Sequence, residues 1–132
     1  MGGYKQTNMP NRQYILPVSS SSGGSGGGGG GTSTVNPQIG TTYTAAIGDA
    51  NNIVTMTNAG ASVFNIPTNA NVAFAVGTVI VVIQNGAGQV TLTALSGVTL
   101  LSASSLTTRA QYSVVTVEQI SANTWIAAGD LT

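Results

Sequence analysis

Thr78-Val-Ile-Val-Val-Ile83, then Gln84-Asn-Gly-Ala-Gly88, then Gln89-Val-Thr-Leu-Thr-Ala94 is the stretch on which the fold turns. Val79 to Ile83 is an unbroken run of valine and isoleucine. These side chains branch at Cβ, which stiffens χ1 and favours extended backbone. The run is apolar at both parities, so its strand is expected to be covered on both faces, by two layers or by a neighbouring subunit. The run after it alternates, with Val90, Leu92 and Ala94 against Thr91 and Thr93. That strand should show one face to solvent. Asn85-Gly86-Ala-Gly88 between the two is the strongest local hairpin signal in the chain.

Outward from this stretch the same texture continues. Further strands are expected at Thr41–Ala46, Asn52–Thr57, Ser62–Ile66, Val98–Leu101, Gln111–Ile120 and Thr124–Ala128. Turn residues separate them: Gly48-Asp49, Asn58-Ala-Gly60, Pro67-Thr-Asn69, Ser96-Gly97 and Ser121-Ala-Asn123. A single helical turn is expected around Ser104–Arg109. Short strands at regular spacing read as all-β, a compact β-sandwich or small barrel. This domain covers residues 35–132 and is preceded by an extended Gly/Ser-rich N-terminal arm.

Residues 19–34 read SSSSGGSGGGGGGTST, a flexible linker by composition. A coil of this length spans roughly 20–24 Å on average. The matches to G-x-S-x-G and G-x-G-x-x-G inside it are discarded, because polyglycine matches any glycine pattern. Neither has its required strand-to-helix context. Residues 1–18 carry Tyr4, Lys5, Arg12, Tyr14, Ile15, Leu16 and Val18, with Pro10 and Pro17 breaking the segment. The plain alternative for this segment is a frayed terminus. The functional one is an anchor peptide, since extended segments rich in aromatic and aliphatic side chains dock into grooves or add to sheet edges. The first ten residues lack the apolar core of a signal peptide, and no stretch is long enough to span a bilayer.

Composition narrows the function. Only 5 % of the residues are charged, against about 25 % in an average soluble domain. Residues 1–40 hold Lys5 and Arg12 and no acid, +2; residues 41–132 hold Arg109 against Asp49, Glu118 and Asp130, 1 − 3 = −2. Two basic residues are far from a nucleic-acid surface. So weakly charged a surface suits a protein packed against copies of itself or a partner. There is no histidine and no cysteine, which removes disulfides, the usual zinc sites and the usual nucleophile–base pairs. The three acids are scattered in sequence: Asp49 is expected to cap a turn, Glu118 to sit on a strand surface beside Arg109, and Asp130 to lie in the terminal segment. No enzyme, metal or cofactor is expected. Val79, Val81, Ile83 and Trp125 are the candidate oligomer-interface residues, tryptophan being enriched at subunit contacts.

Asp49-Ala-Asn-Asn-Ile-Val-Thr-Met-Thr-Asn58, Phe64-Asn-Ile-Pro67, Phe74-Ala-Val-Gly-Thr78, Ile83-Gln-Asn-Gly-Ala-Gly-Gln-Val-Thr91, Gly97-Val98, Arg109-Ala-Gln-Tyr112, Asn123-Thr-Trp125 and Gly129-Asp-Leu131 follow one another in order. Together they resemble a β-domain that recurs in virion structural proteins of tailed bacteriophages, among capsid decorations, head fibres and tail-fibre modules. The resemblance spans residues 41–132 and leaves out 1–40. It implies a virion location, no catalytic residues and a homo-oligomer, commonly a trimer. The expected function is a capsid decoration or head-fibre protein whose arm attaches to the major capsid protein or another virion protein. The alternative is a tail-fibre or host receptor-binding module, which would call for exposed aromatic or carboxylate-lined pockets.

Overall fold

The computed structural model describes residues 31–132, and the anchor peptide and nearly all of the linker, residues 1–30, lie outside that range. Strands β1 (Val35–Gln38), β3 (Ile53–Met56) and β5 (Val79–Gln84) run parallel, side by side, in one sheet. Strands β2 (Thr42–Thr44), β4 (Ser62–Ile66) and β6 (Val90–Ala94) run parallel in a second sheet. The chain therefore alternates between two sheets, leaving one strand in each, and every new rung stacks on the last. This is a short β-solenoid of three rungs, all-β as expected, but not a β-sandwich or small barrel. Inward–outward alternation is the same in all three architectures. What differs is whether successive strands are joined by hairpins within a sheet or by corners between sheets.

The larger sheet is completed by β7 (Thr99–Ser102), β8 (Val114–Ser121) and β9 (Thr124–Gly129). β8 pairs antiparallel with β5, β9 antiparallel with β8, and β7 parallel with β9, giving the order β1-β3-β5-β8-β9-β7. The β8–β9 turn places Asn123 at φ 59, a left-handed conformation that asparagine tolerates. Thus a solenoid is closed at its third rung by an antiparallel hairpin.

Several local expectations are corrected. Asn85-Gly86-Ala-Gly88 is no hairpin: it is the corner that carries the chain from β5 in one sheet to β6 in the other. Ser104–Arg109 is not helical: Thr107 bridges to Thr91, and Thr108 to Leu131. β1 is an additional strand, containing Pro37. Thr34 and Gln38 accept hydrogen bonds from Ile53 of β3 and from Thr57 just after it. By strand alternation Pro37 therefore turns its backbone to the open edge, where a missing N–H costs nothing.

The corners explain two glycines. Ile53 pairs with Val81 and Ser62 with Val90, both 28 residues apart (81 − 53 and 90 − 62). The corner 57–61 thus lies under the corner 85–89, with Gly86 N–H donating to Met56 O at 2.9 Å and Gly88 N–H to Asn58 O at 3.2 Å. A Cβ on Gly86 would overlap the Asn58 carbonyl oxygen, and one on Gly88 the Gly60 carbonyl oxygen.

The core fills the space between the sheets. Val54, Met56, Phe64, Ile66, Ile80, Val82, Val90, Leu92, Val115, Val117 and Ala127 point inward with Phe74 and Trp125. Trp125 is 0 % exposed and meets Phe74 edge-on at 5.4 Å between ring centroids. It cannot lie at a subunit contact. The expected solvent face of β6 is observed: Thr91 is exposed while Val90 and Leu92 are buried.

Candidate functional site

Two features of the domain could carry function: a polar cluster inside the first rung and the outer face of the six-stranded sheet. The cluster forms because Asn36 and Gln38 put amides at inward positions that Val54 and Met56 fill with apolar side chains in rung two. Asn36 and Gln38 of β1 stand in register with Val54 and Met56 of β3. The 3-10 turn Ile47–Asp49 brings Asp49 beneath them. Asp49 is 2 % exposed, yet its carboxylate accepts three hydrogen bonds: from Tyr43 Oη at 2.6 Å, Asn36 Nδ2 at 2.9 Å and the Ala46 N–H at 2.8 Å. Asn36 Nδ2 also reaches Tyr43 Oη at 3.0 Å, and Gln38 Nε2 donates to Asn36 Oδ1 at 2.8 Å. Donors in this number hold a buried carboxylate without a cation. The Ala46 contact is the turn-capping role expected of Asp49.

Burial, then the hydrogen bond and negative charge of Asp49, push the Tyr43 hydroxyl up to about 12. A folded value above the unfolded one, about 10, leaves stability intact below pH 10. That contribution is lost as pH rises from about 10 through 12, where the unfolded tyrosine ionises first. Titration of tyrosinate absorbance should therefore show a late-ionising phase in the folded protein. Tyr43→Phe should remove that phase and cost about 1 kcal/mol at neutral pH, from the lost hydrogen bond to Asp49. A Tyr43→Phe protein that keeps the late phase would contradict the assignment.

The other acids lie elsewhere. Arg109 pairs with Asp130, not with Glu118 as expected: Nε to Oδ1 is 2.7 Å and Nη2 to Oδ2 is 2.9 Å. Ser113 Oγ donates to Asp130 Oδ2 at 2.9 Å. The Arg109 guanidinium and the Ser113 hydroxyl hold the Asp130 carboxyl below its usual value. This group ties the C-terminal segment to the loop that leads into β8. Glu118 is exposed on the strand surface and makes no ion pair among the described residues. The three acids thus sit in three different settings, and among the described residues no group of three metal-ligating side chains gathers.

The outer face of the larger sheet carries three of the candidate interface residues, all on β5. Val79, Val81 and Ile83 point away from the core, alternating with the buried Ile80 and Val82. No layer of the described residues covers them, so of the two covers expected for this strand, a second layer within the domain is absent from residues 31–132. Register places Val35, Ile53, Val81, Thr116 and Ala128 in one row across the sheet. Val79, Glu118, Ile126 and Leu101 form the next, and Thr55, Ile83 and Val114 flank them. Val35, Leu101, Val114, Ile120 and Ile126 are between 39 % and 57 % exposed. Sequence reasoning found the β5 members only. The others sit on strands whose neighbours could not be known without the strand order.

Tyr112 stands at the border of this face. Its N–H donates to Gln84 O at the end of β5, and its φ of 73 is a left-handed conformation unusual for a bulky residue. Tyr4, Lys5, Arg12, Tyr14, Ile15, Leu16 and Val18 lie outside the described residues. No family model, curated protein or solved structure matches the chain.

Proposed function

We propose that this chain is a non-enzymatic structural protein of a bacteriophage virion. In this reading it is a capsid decoration or head-fibre protein, a homotrimer that attaches to the major capsid protein or another virion protein through residues 1–18. What supports the reading is one observation above others: the described residues hold a core of their own. Residues 33–132 form their own compact unit, and among the described residues the core and the side chains packed on it run from Tyr43 to Leu131. The glycine run thus precedes a domain with a core of its own. The low charge of the chain and the resemblance over residues 41–132 point the same way.

Imaging tests the location. Difference maps between virions with and without the protein should place extra density on the head. Density on the tail instead would favour the receptor-binding alternative, and no density would remove the virion role.

A further inference from the structure

We propose that the outer face of the six-stranded sheet is the self-association surface of this chain, turned toward the trimer axis and covered there by the same face of the neighbouring copies. This rests on the reading of the protein as an assembly component and names the surface through which its copies meet.

The case begins with area. Six strands spaced about 4.8 Å apart span roughly 24 Å, and five residues along a strand about 16 Å. The face is therefore on the order of 400 Å² in plan, before the relief of its side chains is counted. Contiguous apolar patches of this size on a soluble domain mark interaction sites. A stable interface takes about 800 Å² of accessible surface per partner, which side-chain relief and the flanking Ile120 and Tyr112 bring within reach.

Chemistry selects the occupant. Val35, Ile53, Val79, Val81, Ile83, Val114 and Ile126 dominate the face, and Glu118 is its one charge. An apolar surface lacking a cluster of like charge meets its own copy without repulsion. A broad sheet face is covered well by other sheet faces, whose side chains interdigitate with its own. An extended peptide such as residues 4–18 would cover only a strip about one strand wide, and would bring Lys5 and Arg12 to a surface with a single acid. The strained, exposed Tyr112 at the border fits the same picture, because tyrosine is enriched in interfaces and a costly backbone conformation persists where something uses it.

Sedimentation velocity of the full chain at micromolar concentration should show an oligomer. Val81→Lys combined with Ile126→Lys should give a monomer with unchanged near-ultraviolet circular dichroism from the buried Trp125. Val81→Thr with Ile126→Thr keeps strand-forming side chains, guards against misfolding of the lysine variant, and should weaken association by about tenfold or more. A monomeric wild-type chain, or an oligomer that both folded variants retain, would overturn the proposal. So would a full-length monomer that associates only after residues 1–30 are removed, since the arm would then be the occupant. Association is read without particles, so its failure is distinct from failure of the virion reading.

Discussion

Gly88→Ala is expected to destabilise the domain by about 3 kcal/mol or more, a drop in melting temperature on the order of 10–20 °C. The reason is not turn conformation, since the left-handed glycines are Gly77, Gly97 and Gly129. It is the distance between rungs. The corner 85–89 lies directly on the corner 57–61, and the space a Cβ would need at Gly88 is occupied by the backbone carbonyl of Gly60. A flexible side chain could move aside; a carbonyl held in a stacked corner moves only with its rung. Gly88 N–H donates to Asn58 O, so separating the corners would also stretch that bond. Gly86→Ala should behave alike, its Cβ meeting the backbone of Thr57 and Asn58. Gly48→Ala is the control, with nothing near the added methyl and only a small change expected in the same thermal melt. A Gly88→Ala protein as stable as wild type would mean that the corners are not stacked.

Replacing Tyr14, Ile15 and Leu16 together by serine is expected to abolish attachment to particles while leaving the melting curve of the head unchanged. Hot spots concentrate in buried aromatic and aliphatic anchors, and these three are the densest apolar cluster of the arm. In the proposed trimer three arms share one head. Each later docking is then intramolecular, at an effective concentration on the order of millimolar for a flexible linker. Three weak arms can give stable attachment, so weakening each arm lowers avidity far more than it lowers single-site affinity. Co-sedimentation with particles checks this; undiminished binding by the triple variant would remove these residues from the anchor.

The strands were more legible in the sequence than their arrangement. Ser62–Ile66 has the same bounds in both, and the other seven expected strands are present with ends shifted by up to three residues. Valine, isoleucine and threonine carry that signal locally. Parallel stacking is not local. Its trace was present as the 28-residue offset between Ile53–Ile66 and Val81–Ala94, in which Val54, Ala59 and Gly60 recur as Val82, Ala87 and Gly88. Two copies of a weak motif, with a first rung of different length, make a faint repeat. Asn85-Gly86 then pointed to a hairpin because the pair serves tight turns of either kind. The two-sided apolarity of Val79–Ile83 leads to an expectation of cover on both faces, and residues 31–132 supply the inner one alone. Trp125 misled because tryptophan is enriched in both cores and interfaces, and only strand order shows it facing Phe74. The Asp49 cluster was legible only as a turn cap. That Asn36 and Tyr43 would meet the same carboxylate depends on β1, whose proline hid the strand.

The role of the arm is the centre of this account, and deletion of residues 1–18 tests it most directly. The armless chain and the full chain are each mixed with particles lacking the protein, sedimented, and the bound fraction measured. The account predicts that the armless chain stays folded and oligomeric and remains in the supernatant, while the full chain pellets with the particles. Full binding by the armless chain would contradict it and place attachment on the β-solenoid itself.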